Sequence, residues 1–327
     1  MRLVHEFKKR LQRQLVIANA PLERLAERQV ILQALAMAKA NRARQKIQGL
    51  QEVEFCAFSQ WGEDGIIDWL IEVLQDIPHS FIEFGVGDYR ESNTRLLLQL
   101  RNWRGLILDG SADHIEDIQG QELYWRHELQ AKRVFIDRDN INQLIENAGF
   151  SGDVGLLSVD IDGNDYWVWQ AITVVNPAIV VCEYNAVFGD LHQLTVPYRS
   201  DFQRANAHHS LLYFGASLQA MIALGKAKGY AFVGTASNGC NAFFVRNDLS
   251  VLVTDKLDRV CAFPSAAREA RDAEGCLMFI GGPARADLIK ELPIVNLSRS
   301  QTGELVKLGH LGELYSEKWL AGLGAVL

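Results

Sequence analysis

The sequence has little of three features that would narrow its function at once. Its five cysteines are scattered and form no C-x-x-C pair, so the sequence indicates neither a zinc site nor a disulfide framework. No run approaches the roughly 18 consecutive apolar residues of a transmembrane helix, so no membrane span is expected. The first residues also lack the apolar core of a secretory signal, and a cytoplasmic location is predicted.

Basic charge is scarce as well. The chain has 33 Lys and Arg against 40 Asp and Glu, a net charge of -7, so nucleic acid is not expected as its main partner. Residues 1–50 are the exception, because they hold eleven Lys and Arg against three Glu, about +8. A basic extension therefore precedes an acidic body.

Residues 1–50 are predicted to be helical. Two apolar rows at helical spacing run along this segment, Leu3, Phe7, Leu11 and Leu15 and then Leu22, Leu25, Leu32 and Leu35. A break is expected between them at Asn19 and Pro21, which form a cap and first-turn pair. Such a helix packs on its own domain, pairs with a second subunit as a homodimer, or lies on an anionic membrane.

Residues 51–254 alternate between apolar strands and helices. The predicted strands are 80–87, 104–110, 131–137, 154–162 and 178–185. Near-continuous apolar strands separated by helices predict a doubly wound, mostly parallel sheet that is covered on both faces, a Rossmann-like α/β fold. Segments 230–234 and 241–245 flank an Asn-Gly turn and predict a closing antiparallel hairpin. Residues 255–327 are predicted to be a mixed, partly helical addition.

A glycine turn follows the first of these strands. The stretch "EFGVG" (83–87) allows a ligand to approach the backbone closely. A nicotinamide site would have a third glycine, but Asp88, Tyr89 and Arg90 follow here instead. Glu83, two positions before the first glycine, would repel a pyrophosphate. The turn therefore suits a ligand that is positively charged and has no phosphate.

The acids around this turn carry a resemblance to a known family. Asp109 ends the second strand, 26 positions after Glu83, and this arrangement resembles the class I S-adenosylmethionine-dependent methyltransferases. The stretches "FSQWGEDGII", "ESNTRLLL" and "GCNAFFVRNDL" are similar to the FkbM-like branch of that superfamily. The resemblance implies that Glu83, Gly85 and Gly87 hold the methionine part of the cofactor, that Asp109 holds the ribose and that Asp137 lies near the adenine.

The same resemblance implies O-methylation of a hydroxyl on a small molecule, a glycan or a polyketide-type natural product. In the upstream "SQWGED" stretch, Gln60, Glu63 and Asp64 either close over the cofactor or only start the following helix. Two other functions stay open. One is a metal-dependent hydrolase, and the other is a non-catalytic binding module that works through its N-terminal helices.

A carboxylate cluster follows the fourth strand, in "LLSVDIDGNDYW" (156–167). Asp160 and Asp162 are two residues apart and would share one face of an extended strand. Glu183 and Asn185 end the fifth strand with the same spacing. Oxygen ligands of this kind suit Mg²⁺ or Ca²⁺. The alternatives are a metal-free carboxylate base, centred on Asp160, and a structural turn that caps the next helix.

Two adjacent histidines are further candidates for the base. His208 and His209 precede the helix at 217–229, and imidazole accepts protons near neutral pH. An EF-hand is excluded for the acidic loop because, counting from Asp160, its glycine is fourth and its twelfth residue is Ala171.

Overall fold

The computed structural model describes the backbone of residues 2–298 and 303–325, and the side chains of residues 21–22, 24–298 and 303–322. Its strands are β1 Ser80–Phe84, β2 Arg104–Asp109, β3 Leu129–Arg133, β4 Gly152–Val159, β5 Val175–Glu183, β6 Leu194–Thr195, β7 Tyr230–Thr235, β8 Asn241–Arg246, β9 Pro293–Asn296 and β10 Glu304–Lys307. Its helices are α1 Arg2–Arg42, α2 Glu63–Leu74, α3 Arg95–Arg101, α4 Ala112–Gly120, α5 Glu122–Arg126, α6 Ile141–Asn147, α7 Asp165–Ala171, α8 Arg204–Ala207, α9 Leu218–Ala227, α10 Ser250–Thr254, α11 Ala284–Asp287 and α12 Glu317–Ala325. Short 3₁₀ turns lie at Leu50–Glu52, Ala186–Phe188 and Leu308–His310.

Seven strands form the main sheet, in the order β3-β2-β1-β4-β5-β8-β7. The first five are parallel to their neighbours, and β8 is antiparallel to both β5 and β7. This confirms the predicted Rossmann-like α/β fold with its closing hairpin. The strand order reverses between β1 and β4, and in doubly wound sheets the crevice at such a reversal is where ligands bind.

The apolar strands are buried because both faces of the sheet are covered. Successive side chains of a strand point to opposite faces. Phe81 and Ile107 accordingly belong to the core on one side, whereas Ile82 and Leu106 belong to the core on the other. Each strand is apolar along its length because its alternate side chains enter two separate cores. This packing holds the carboxyl ends of β1, β2 and β4 together at one edge of the sheet.

Helix α1 corrects one prediction, the break. It runs without interruption through Pro21, where a break was predicted, because the fixed φ of proline is itself helical and the helix loses only one backbone hydrogen bond. The second predicted apolar row, which includes Leu22 and Leu32, is exposed to solvent. Ala34 and Ala38 are buried instead. The side chains of the first row, Leu3, Phe7, Leu11 and Leu15, lie outside the described residues.

All five predicted strands end earlier than predicted, by one to four residues. β4 ends at Val159 and β5 at Glu183, so Asp160 and Asp162 lie in a loop. Asp162 has a φ of 54°, which turns the chain away from the extended conformation. The prediction that Asp160 and Asp162 share one strand face is therefore wrong.

A smaller antiparallel sheet, β10-β9-β6, joins two C-terminal strands to β6 in the segment that follows β5. Its core joins Phe188, Leu194 and Phe214 to Ile289 and Ile294, so the C-terminal residues pack on the segment that follows β5. The division into residues 1–50, 51–254 and 255–327 stays a prediction. Within the described residues, no helix combines the length and the hydropathy that crossing a membrane requires.

Candidate active site

The glycine turn lies directly after β1, at the reversal of strand order. Gly85 and Gly87 have positive φ values of 73° and 55°. A Cβ atom on Gly85 would lie 1.7 Å from the carbonyl oxygen of Asp160, so this position packs against the loop after β4. A Cβ atom on Gly87 would meet no described atom within 4 Å. Gly85 therefore serves packing, whereas Gly87 borders open space.

Asp109, at the end of β2, holds this turn in place. Its Oδ2 accepts a hydrogen bond from the backbone N–H of Gly87 at 3.0 Å, and its Oδ1 accepts one from the N–H of Ser111 at 2.7 Å. Nδ1 of His114 lies 3.2 Å from Oδ1. Asp109 is 9% exposed, so it is largely shielded from water yet still reaches a cavity.

Beside Asp109 lies a cavity of about 290 Å³, bordered by Gly85 and Gly87. Leu108, Val134, Phe135 and Ile136 supply an apolar part of its lining, for which the cavity is called the apolar slot below, and Asp109, Asp160 and Asp162 add carboxylates. Such a combination fits a flat ring that carries hydroxyl groups. The predicted cofactor residues Gly85, Gly87 and Asp109 thus border one cavity.

Glu83 is buried on the other side of the turn. Its carboxylate accepts hydrogen bonds from the N–H groups of Asn93 and Thr94 at 2.8 and 3.2 Å, and from Oγ1 of Thr94 at 2.5 Å. Burial raises the pKa of Glu83 to about 7, although these hydrogen bonds oppose the increase. Glu83 therefore caps the start of α3 and also lines the next cavity.

A second cavity of about 580 Å³ adjoins the first, because both are bordered by Gly85, Gly87, Asp160 and Asp162. Its lining is strongly polar and includes Gln60, Glu83, Asp160, Glu183, Arg204 and Asn241. Six carboxylates and two arginines border it, so its charge is negative. The two cavities differ in chemistry: the apolar slot combines its apolar residues with the carboxylates of Asp109, Asp160 and Asp162, and the other cavity is rich in acids and amides.

A pair of carboxyl groups lies where the cavities meet. One oxygen each from Asp160, Asp165 and Glu183 lie within 4.8 Å of one another. Burial raises the pKa of Asp160 and of Glu183 well above their usual range, and the neighbouring carboxylates raise them further. Oε2 of Glu183 is buried and has no hydrogen-bond partner among the described residues. The group can thus accept a proton or a cation.

Asp165 joins this group because the chain turns back after Asp162. Its two oxygens accept hydrogen bonds from the N–H groups of Ile161 and Gly163 at 2.8 and 2.9 Å. Burial raises its pKa to about 6. Asp165 therefore shapes the loop as well as adding an oxygen to the cluster, and the predicted ligand set does not contain it.

Two predicted metal ligands lie elsewhere. Asp162 is exposed and forms an ion pair with Arg204 at 2.6 Å. Asn185 is buried, and its amide donates to the carbonyl oxygens of Leu212 and Phe214, both at 2.9 Å. The prediction that Asp162 and Asn185 bind the metal together with Asp160 and Glu183 is not supported by this geometry, because the side chains of Asp162 and Asn185 are directed to other partners.

Of the three upstream residues, only Gln60 lines the polar cavity. Glu63 is fully buried and accepts hydrogen bonds from Nδ2 of Asn241 and from the N–H of Trp61. Oδ2 of Asp64 accepts three backbone hydrogen bonds from residues 57–59 and one from the hydroxyl of Ser59. Glu63 and Asp64 therefore hold the loop that contains Gln60. Their contacts fit the predicted alternative in which they have a structural role at the start of the helix and do not close over the cofactor.

His208, His209 and Asp137 border neither cavity. Nδ1 of His208 lies 2.8 Å from Oγ of Ser210, and burial lowers the pKa of this histidine. Asp137 accepts hydrogen bonds at the start of α6. The structure thus gives no support to a histidine base. Near Asp137, it is Phe135 and Ile136 that line the apolar slot.

Two residues of the polar cavity were missed from the sequence. Arg204 lies 3.8 Å above the ring of Phe214 and donates to Asp162. Asn241, at the start of β8, faces Glu63. A lone arginine at the start of a short helix and a polar residue at a strand end give no local signal, since both reach the site only through the folding of distant segments.

No protein-family model matches this sequence, and no curated protein matches it. Among solved structures it is similar to the N-terminal domain of EvdMO1 with SAH bound, with a TM-score of 0.39, 10% identity, and coverage of 67% of this chain and 95% of that one. An O-methyltransferase family protein from Burkholderia thailandensis is similar with a TM-score of 0.36 and 12% identity, over 66% of this chain and 71% of that one. An S-adenosylmethionine-dependent methyltransferase from Clostridium acetobutylicum is similar with a TM-score of 0.36 and 9% identity, over 56% of this chain and 90% of that one. At such low similarity one architecture hosts many functions, so function has to be argued from the residues.

Proposed function

We propose that the protein is an S-adenosylmethionine-dependent methyltransferase of the class I type, and that it methylates a hydroxyl group. The observation that carries this proposal is the open glycine turn at Gly87, which is tied to Asp109 and lies between an apolar slot and an acid-rich cavity. The slot fits an adenosine, and the acid-rich cavity fits the acceptor. The FkbM-like branch stays a prediction from the sequence.

The residues fit this cofactor in three ways. The space beside Gly87 lets a ligand pass along the backbone. Oδ2 of Asp109 accepts one hydrogen bond, from Gly87, and a carboxylate oxygen can accept two, so it can also bind a ribose hydroxyl. The excess of carboxylates near the turn favours a sulfonium cation and disfavours the phosphates of a nucleotide.

When bound, S-adenosylmethionine would supply a methyl group that is already activated for transfer. The protein would then have to orient the acceptor hydroxyl and take its proton. Asp160 and Glu183 are the candidates for this base, because both border the polar cavity and one oxygen of Glu183 is buried without a partner among the described residues. A base of raised pKa holds the proton more firmly than an ordinary carboxylate does.

A divalent cation is the alternative to a free carboxylate base. Asp160, Asp165 and Glu183 offer only carboxylate oxygens, which suit Mg²⁺ and Ca²⁺. In that position the ion would lower the pKa of the acceptor hydroxyl. Two of the four predicted ligands, Asp160 and Glu183, would hold it together with Asp165.

The acceptor is proposed to be a small molecule, a glycan or a polyketide-type natural product with several hydroxyl groups. Gln60, Arg204 and Asn241 add donors and acceptors to the carboxylates of the cavity, and such a lining pairs with hydroxyl groups. The same carboxylate cluster favours one competing function, a metal-dependent hydrolase, in which the glycine turn would hold a different ligand.

Calorimetry separates the two functions. Titration of the whole chain with S-adenosylmethionine and with S-adenosylhomocysteine should give saturable binding, and ADP at the same concentration should bind far more weakly. Absence of heat and of thermal stabilisation with both sulfur ligands, up to about 1 mM, would reject the methyltransferase proposal.

A second titration decides between the metal and the free base. If the metal site exists, Mg²⁺, Mn²⁺ or Ca²⁺ should raise the melting temperature of the wild-type protein, and Glu183→Gln should abolish the increase. Asp162→Asn is the matched control and should keep it, because Asp162 pairs with Arg204. No increase with any of the three ions would reject the metal and leave the carboxylate base.

A further inference from the structure

Along its described side chains, helix α1 contacts the body by one side. Ala34 is buried against Phe58 and Leu96, and Ala38 is buried one turn later. Glu27 forms an ion pair at 2.5 Å with the buried Arg95. Since helix positions advance by 100° per residue, positions 27, 30, 31, 34, 38 and 41 share this side.

The opposite side of the helix carries a row of exposed leucines. Leu22, Leu25 and Leu32 are 68%, 55% and 66% exposed. Positions 22, 25, 29, 32 and 36 alternate steps of three and four residues, which is the spacing of a coiled-coil seam. In the sequence the same spacing continues upstream through positions 11, 15 and 18, which are Leu, Leu and Ala.

The charge on this side is much lower than on the rest of the N-terminal segment. Between positions 21 and 36, the half of the helix centred on the leucines carries one charged residue, Arg28, although residues 1–50 hold eleven Lys and Arg. Of the positions that flank the seam, 26 and 33 are Ala and Gln on one side, and 28 and 35 are Arg and Leu on the other, so Arg28 is the one charged residue there. In coiled coils these flanking positions decide the partner, and like charges there prevent self-association.

We propose that this row of leucines on α1 pairs with the same row of a second copy of the chain, so that the protein is a homodimer joined by α1. An identical partner brings the same surface, and a low-charge apolar row is complementary to itself. Gln29, a polar residue at a seam position, would fix the register of the two helices, as a buried polar residue does in coiled coils.

An anionic membrane fits the row less well than a second copy does. A helix that lies on a membrane needs free cations beside its apolar face. Between positions 21 and 36 of α1, the half centred on the leucines offers one cation, Arg28. Arg24 and Arg42 lie nearer the packed side, and each is close to a carboxylate of the same chain, Glu122 at 3.6 Å and Glu72 at 3.0 Å.

The test is the mass of the whole chain in solution, measured by light scattering after size-exclusion chromatography. The wild-type protein should have twice the monomer mass at micromolar concentration. The double variant Leu25→Glu/Leu32→Glu should have the monomer mass. Leu305→Glu is the control, because Leu305 is 64% exposed on β10, away from α1, and this variant should stay dimeric.

Three results would overturn the proposal. One is a monomeric wild-type protein, and another is a dimer that persists in the double variant. The third is a monomer that floats with vesicles of phosphatidylcholine and phosphatidylserine and loses this binding in the double variant, which would assign the row to a membrane. The replaced leucines are exposed in the monomer, so the circular dichroism spectrum and the binding of S-adenosylhomocysteine should match the wild type.

Discussion

The backbone N–H of Gly87 donates a hydrogen bond to Oδ2 of Asp109 over 3.0 Å. This bond joins the turn after β1 to the end of β2, two segments that are 22 residues apart in the chain. It places a glycine with open space beside it next to a carboxylate that borders the apolar slot. The proposed cofactor site depends on this pairing.

Replacement of Asp109 by alanine should weaken binding of S-adenosylhomocysteine at least tenfold, about 1.4 kcal/mol, because both the ribose contact and the anchor of the turn are lost. The measurement is isothermal titration calorimetry. Asp113→Ala is the control, since Asp113 is exposed on the neighbouring α4 and borders neither cavity. Equal affinity of the Asp109 variant and the wild type would mean that the slot does not hold the ribose.

The two glycines of the turn should respond differently to alanine. Gly87→Ala should fold, at a cost of about 1–2 kcal/mol for a side chain at positive φ, and it should lose ligand affinity because its methyl group enters the ligand space. Gly85→Ala should lower the melting temperature much more, because its Cβ would overlap the carbonyl oxygen of Asp160. Thermal unfolding and calorimetry on both variants distinguish the two effects. A Gly87 variant with wild-type affinity would contradict the proposed path of the ligand.

Stability should fall as the pH rises from about 4.5 to 7, in part because of Glu83. The pKa of Glu83 is about 7 in the folded protein and 4.5 in the unfolded chain. Its contribution to the free energy of unfolding is therefore fully present below pH 4.5 and is lost as the pH rises through 7. The expected loss is at most about 3 kcal/mol. Asp64 and Asp165 have folded pKa values of about 6 and act in the same direction.

Glu83→Gln should flatten this pH dependence, measured as the free energy of unfolding in urea at pH 5 and pH 7.5. The slope is the quantity to compare, since the amide also loses a hydrogen bond at Thr94 at every pH. Glu91→Gln, an exposed neighbour, should keep the wild-type slope. If the Glu83 variant keeps it too, the buried carboxyl is not the titrating group.

The ion pair between Glu27 and Arg95 should stabilise the attachment of α1. The Arg95 side chain is 5% exposed and also donates to the carbonyl oxygen of Tyr89. Glu27→Ala should cost about 2 kcal/mol, less than the 3–5 kcal/mol of a fully buried pair, because Glu27 is half-exposed. Urea unfolding measures this cost.

A second substitution separates the charge from the packing. Arg95→Met in the Glu27→Ala background should recover part of the loss, because it removes the unpaired buried cation. Glu128→Ala, which breaks an exposed pair with Arg104, should change the free energy of unfolding by less than about 1 kcal/mol. Equal effects of the Glu27 and Glu128 substitutions would mean that α1 is held by its apolar contacts alone.

The sequence by itself determined the sheet and the turn. Its apolar runs predicted the five parallel strands, and the Asn-Gly turn predicted the hairpin, because burial on both faces and a tight turn each require particular residues locally. The family resemblance carried by Glu83, Gly85, Gly87 and Asp109 likewise grouped these residues, and Gly85, Gly87 and Asp109 border one cavity. These features depend on short stretches of chain.

Only the tertiary structure decided which carboxylates form the cluster and which face of α1 packs on the body. A positive φ at Asp162 turns the chain so that Asp165 approaches Glu183, whereas Asp162 itself is drawn out to Arg204. Likewise, small residues such as Ala34 allow α1 to lie close to the body, and this leaves its larger leucines exposed. Both outcomes follow from contacts between distant segments, and a local pattern of residue types does not contain them.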